Sequence, residues 1–126
     1  MPRKEIISTD KVPAPMTPIS QAVKAAGLIF CSGAVPRDPN TSELVQGDIE
    51  VQTSQVLENL KAIVEAAGSS LEKVIKVTVF LADKKDFPGM NKVFQKYFPK
   101  NPPARSCIGV ELFVDAKVEI ELIALA

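Results

Sequence analysis

The stretch from Pro102 to Glu121 carries the two residues best suited to chemistry, Arg105 and Glu119. Arg105 follows Pro102 and Pro103, which hold the approach to it extended and stiff. Its planar guanidinium stays charged at physiological pH and can grip a carboxylate through two parallel hydrogen bonds. Glu119 opens a second β-prone run, where it can accept a proton from water, or return one, once partial burial moves its pKa toward neutrality. The same residue types also suit a plain ion pair across a hairpin, which is common and modestly stabilising. Residue type alone leaves both readings open.

The chain contains no histidine, which removes the commonest general base and the commonest metal ligand together. Chemistry therefore falls to carboxylates, Arg, Lys, Ser, Cys or Tyr. Cys31 and Cys107 are the only cysteines, and two thiols without histidine do not build a tetrahedral zinc site, so no metal is expected. Their apolar contexts suit each to a small buried core residue in a reducing compartment, with a disulfide between them as the alternative. Acidic and basic residues balance at 15 each, so no long-range field draws the chain to nucleic acid or to an anionic membrane. No run approaches membrane-spanning length, and Met1 to Ser8 has neither a signal peptide's apolar core nor a transit peptide's long basic stretch. A cytoplasmic protein is expected, with a mitochondrial location as the alternative.

A length of 126 residues fits one domain spanning 1–126. Residues 4 to 8 suit an edge strand, and Pro13, Pro15 and Pro18 then impose a non-helical connector fixed against the domain. Val23 to Cys31 reads as a hairpin turning near Gly27 and ending at Ser32-Gly33. Val35 to Gly47 has loop composition. Asp48 can cap a helix whose apolar face is Val56, Leu57, Leu60, Ile63, Val64 and Ala67, with Gln52, Gln55, Glu58, Lys61 and Glu65 in water and Gly68 as the stop. Val74 to Leu81, with Ile75, Val77, Val79 and Leu81 alternating against Lys76 and Thr78, predicts a central strand. A second helix runs from about Asp86 to Phe98 on a stripe of Phe87, Met90, Phe94, Tyr97 and Phe98. The Pro102–Glu121 stretch reads as a closing hairpin turning at Asp115-Ala116-Lys117. This order suggests an α+β domain with both helices on one face of a mainly antiparallel or mixed six-stranded sheet. Val110, Leu112, Ile123 and Leu125 give the far face apolar residues too, so it needs a cover, which a subunit partner would supply.

The run Pro103-Ala104-Arg105-Ser106-Cys107-Ile108-Gly109-Val110 followed by Val118-Glu119-Ile120 resembles the C-terminal signature of the RidA family, also called YjgF. Ser20-Gln21-Ala22-Val23, Phe30-Cys31-Ser32-Gly33, Val77 to Leu81 and the Asn91 helix match the family's order and spacing over nearly the whole chain. The resemblance implies a chorismate mutase-like fold, a homotrimer with ligand sites between subunits, and no cofactor. It implies an enamine/imine deaminase that converts 2-iminobutanoate or 2-iminopropanoate, released by pyridoxal-phosphate dehydratases, to 2-keto acids and ammonia. Arg105 would bind the substrate carboxylate and Glu119 would activate water, with Ser32, Gly33, Asn91, Ser106, the Cys107 backbone and Ile19 lining the cleft. Ile19 stands where many members have tyrosine, Ala34 where many have glutamine, and Phe94 replaces an aromatic hydroxyl, so the pocket would be more apolar than usual and suit bulkier imino acids. The competing readings are a non-enzymatic trimer that binds small carboxylates or proteins, and the endoribonuclease activity attributed to some relatives, which the charge balance disfavours.

Overall fold

The computed structural model describes residues 3–126; Met1 and Pro2, the start of the stretch read for a leader, lie outside them. A six-stranded mixed sheet carries both helices on one face. Its strands are β1 (Glu5–Ile7), β2 (Ala22–Ala25), β3 (Leu28–Ala34), β4 (Val74–Leu81), β5 (Ala104–Gly109) and β6 (Val118–Leu125), and the helices are α1 (Ile49–Ala66) and α2 (Phe87–Tyr97). The spatial order is β1-β2-β3-β6-β4-β5. Among the described residues no helix is long and apolar enough to cross a membrane.

Local chemistry explains most boundaries. β2 and β3 join through Ala26 and Gly27, both at positive φ (53° and 77°), the turn geometry that matches the twist of paired strands. The Asp48 side chain accepts from the Val51 amide at 3.0 Å and caps α1, and Gly68, at φ 87°, lets the chain leave it. Val56, Leu57, Leu60 and Val64 are fully buried against the sheet. The helices are tied together by the Tyr97 hydroxyl, which donates to the Glu58 carboxylate at 2.6 Å. Burial and that carboxylate together push the Tyr97 phenol well above its ordinary range.

The sheet departs from the expected closing hairpin. β5 and β6 do not pair: β5 runs parallel to β4 after the α2 crossover, and β6 inserts antiparallel between β4 and β3. No hairpin turn forms at Asp115-Ala116-Lys117: the chain bends through residues 113–117, with the Ala116 amide donating to the Val114 carbonyl. The loop spans the end of β4, where the Val110 amide donates to Leu81 and the Ala82 amide to Lys117. β6 buries Val118, Ile120, Leu122 and Ala124, and a strand buried to that degree is stabilised by a hydrogen-bonded neighbour on each edge. Two smaller expectations also change. A register shift between Val74 and Lys76 turns Val74 inward and leaves Ile75 42% exposed. Gln52, expected in water, is buried.

Candidate active site

β6 alternates strictly, so Val118, Ile120 and Leu122 face the helices and Glu119 faces the other side. β5 puts Arg105 beside Val77, which pairs in turn with Leu122 and through it with Cys31, a row buried under the helices. Arg105 and Glu119 therefore occupy opposite faces of the sheet, with β4 between their strands. An ion pair across a hairpin is ruled out by topology and by face.

Glu119 lies in a cavity of about 450 Å³ with Ile19, Ser32, Gly33 and Ala34. A Cβ on Gly33 would overlap the Glu119 carboxylate, so only glycine permits this approach. The Ser32 hydroxyl donates to the Ser20 carbonyl at 2.6 Å and its amide to Gln21, fixing the strand end against the proline-rich strap. The strap is held by the buried Gln21 side chain, which accepts from the Thr9 amide at 2.8 Å and donates to the carbonyls of Thr9 and Pro13. Partial burial raises the Glu119 carboxyl above the usual carboxylate range, and the Glu121 charge on the same sheet face raises it further.

Arg105 lies in a second cavity, of about 330 Å³, with Asn91, Phe94, Gln95 and Phe98. Its guanidinium stacks over the Phe94 ring at 4.8 Å and near the Phe87 ring at 5.6 Å, with Nη1 3.8 Å from the Met90 sulfur. Among the described residues the one salt bridge is Lys92 with Glu50, so Arg105 is held by π-faces and sulfur, with no protein carboxylate to neutralise it. Phe94, where the aromatic hydroxyl is missing, is one of these holding faces.

Ser106 and Cys107 follow Arg105 on β5 and line neither cavity. The Ser106 hydroxyl accepts from Lys76 Nζ at 3.0 Å on the open face. Cys107 and Cys31 are free thiols on strands separated by two others, β6 and β4, which replaces the disulfide alternative. Burial pushes Cys31 up to about 12 and raises Cys107 as well, against the opposing charge of Arg105.

The sequence pattern singles out neither Asn59 nor Arg37, gives Gln21 only a place in a motif, and puts Gln52 in water. Gln52 donates to the Val45 carbonyl and accepts from the Lys117 amide, tying two loops to α1. Asn59 donates to the Arg37 carbonyl at 2.9 Å. A signal was present: residues 52, 56, 59 and 63 share one helix face, so two polar residues stand in register with buried Val56 and Ile63.

The family model described as Endoribonuclease L-PSP matches residues 9–126. The chain belongs to the RidA family. A RutC family protein of Pyrococcus horikoshii is 53% identical over 122 residues, covering 96% of this chain and 97% of its own. A 2-iminobutanoate/2-iminopropanoate deaminase of Dermatophagoides farinae is 41% identical over 126 residues, covering 99% and 98%. The crystal structure of E. coli TdcF with bound serine matches with a TM-score of 0.92 at 40% identity, covering 97% of this chain and 98% of its own. The α+β sheet with its two helices is thus the fold of RidA relatives.

Proposed function

We propose that the protein hydrolyses 2-imino and 2-enamino acids to 2-keto acids and ammonia, in sites assembled between copies of the chain. The observation that carries this reading is the division of labour between two cavities. A guanidinium without a carboxylate partner opens into one and a proton-accepting carboxyl into the other, on opposite faces of one sheet. A site using both takes Arg105 and Asn91 from one copy and Glu119, Ser32, Gly33 and Ile19 from its neighbour. A homotrimer closes such a head-to-tail contact into a ring. The relatives named as imine deaminases and the serine held by TdcF, itself a small amino acid with a carboxylate, support the substrate class.

In this mechanism Arg105 grips the substrate carboxylate through two hydrogen bonds. Glu119, made more basic than an ordinary carboxylate by partial burial and the Glu121 charge, takes a proton from water as the oxygen bonds to the imine carbon. The C=N bond becomes a C–N single bond, and the proton passes to nitrogen. A second proton transfer from the new hydroxyl lets the C–N bond break, releasing ammonia and the keto acid. The imine already reacts with water unaided, so holding the three partners together supplies the acceleration. The family description names an endoribonuclease, but the balanced charge and absent histidine favour a small neutral-to-anionic substrate over RNA.

The test is a coupled assay in which threonine dehydratase generates 2-iminobutanoate, semicarbazide traps unreacted imine, and keto acid formation is followed. Wild type outpaces the trap, while Arg105→Ala and Glu119→Gln fall to the buffer rate. Mixing the two inactive variants and reassembling them restores about a quarter of the wild-type rate, since three-quarters of random trimers hold one intact site of three. No recovery in verified mixed trimers overturns the shared site. A wild-type rate equal to buffer overturns the deaminase and favours a carboxylate-binding protein.

A further inference from the structure

The cavity around Glu119 has a second charged wall that the proposed chemistry does not use. Arg37 and Asn59 line it together with Glu119, and between them the lining is mostly apolar, including Ile19, Ile63 and Phe113. Arg37 is half-buried and held in place before any ligand arrives. Its carbonyl accepts from Asn59, its Nη1 donates to the Ser42 carbonyl at 3.0 Å, and its backbone bridges to Leu44. No carboxylate lies within ion-pair distance of it among the described residues. The adjacent Asp38 is committed elsewhere, with Oδ1 accepting from the amides of Asn40 and Thr41. A preorganised guanidinium with spare donors in a concave, mainly apolar cleft is the arrangement that recognises an acidic group at the end of an aliphatic stem.

We infer that Arg37 is a second anion anchor, and that the site takes 2-imino acids whose side chain ends in a carboxylate. This rests on the deaminase reading and deepens it. The α-carboxylate engages Arg105 of a neighbouring copy, the imine carbon sits by Glu119, and the side chain runs along the apolar wall to Arg37. The hydrolysis is unchanged: water adds at C2, ammonia leaves, and a 2-oxo dicarboxylate remains.

The experiment compares two imines in the semicarbazide competition assay, 2-iminoglutarate made by D-aspartate oxidase from D-glutamate and 2-iminobutanoate made by D-amino-acid oxidase from D-2-aminobutyrate. Arg37→Leu lowers kcat/KM for the dicarboxylate by about tenfold or more, the scale of a lost charge-assisted pair. The same change leaves 2-iminobutanoate within about twofold, and Arg37→Lys recovers part of the loss. Equal losses on both substrates, or no loss on either, overturn the anchor. Calorimetric binding of 2-oxoglutarate and 2-oxobutanoate separates this proposal from the deaminase itself. If no imine is hydrolysed above buffer, the deaminase falls, and the anchor stands only if Arg37→Leu selectively weakens 2-oxoglutarate.

Discussion

Glu119 and Gly33 act as a unit, because the carboxylate occupies the space that any side chain at position 33 would need. Gly33→Ala is expected to displace the acid and cut the proposed deaminase activity to near the level of Glu119→Gln, read as kcat in the coupled assay with folding checked by circular dichroism. The raised pKa sets two pH effects. Activity falls toward acid with a midpoint above the ordinary carboxylate value of 4.5, as Glu119 protonates and ceases to accept. Glu121→Gln moves that midpoint toward acid, because the Glu121 charge is the second cause of the shift. For stability the sign reverses. A carboxyl with a raised folded pKa contributes most below its unfolded value and loses that contribution as pH rises through its folded value. Glu119→Gln therefore removes this decline, and urea melts from pH 4 to pH 8 are expected to show the variant gaining on wild type as pH rises.

At the scale of elements, α1 does more than cover the sheet. Gln52 holds the loop before the helix and the loop over the end of β4, so Gln52→Ala should cost about 1–3 kcal/mol in denaturant melts, the penalty for stranding buried polar partners. Thr53, one residue on, is fully buried and its hydroxyl has no partner. Thr53→Val removes that orphan at similar shape and is expected to stabilise by about 1 kcal/mol. The two neighbours thus predict opposite signs. The boundaries of α1 were legible because capping is local: Asp48 and Gly68 act within one turn. The strand pairing after Pro102 was not, since a turn signal says where a chain reverses and not which strand it then pairs with.

Across the whole molecule, the face away from the helices carries an apolar row in register through four strands, Ile6, Val23, Phe30 and Ile123. Ile6 and Phe30 are 53% and 43% exposed, a contiguous surface of the kind that marks an interface. Phe30→Asp is expected to break the proposed trimer into monomers by sedimentation and to abolish activity, because a site between copies cannot outlast their separation. Apolar periodicity, capping residues and proline positions sufficed to place both helices and the helix-covered core, because each follows from what neighbouring residues must bury or satisfy. Of the residues expected on the far face, Ile123 and Leu125 lie on β6, whereas Val110 and Leu112 fall in the loop between β5 and β6. The types at 105 and 119 suited a carboxylate grip and a proton acceptor, but suited an ion pair across a hairpin equally. That the two lie on opposite faces with β4 between them, and that Arg37 shares a cavity with Glu119, was decided only by the tertiary structure. Strand order and the meeting of distant loops depend on long-range pairing, which no local stretch of sequence encodes.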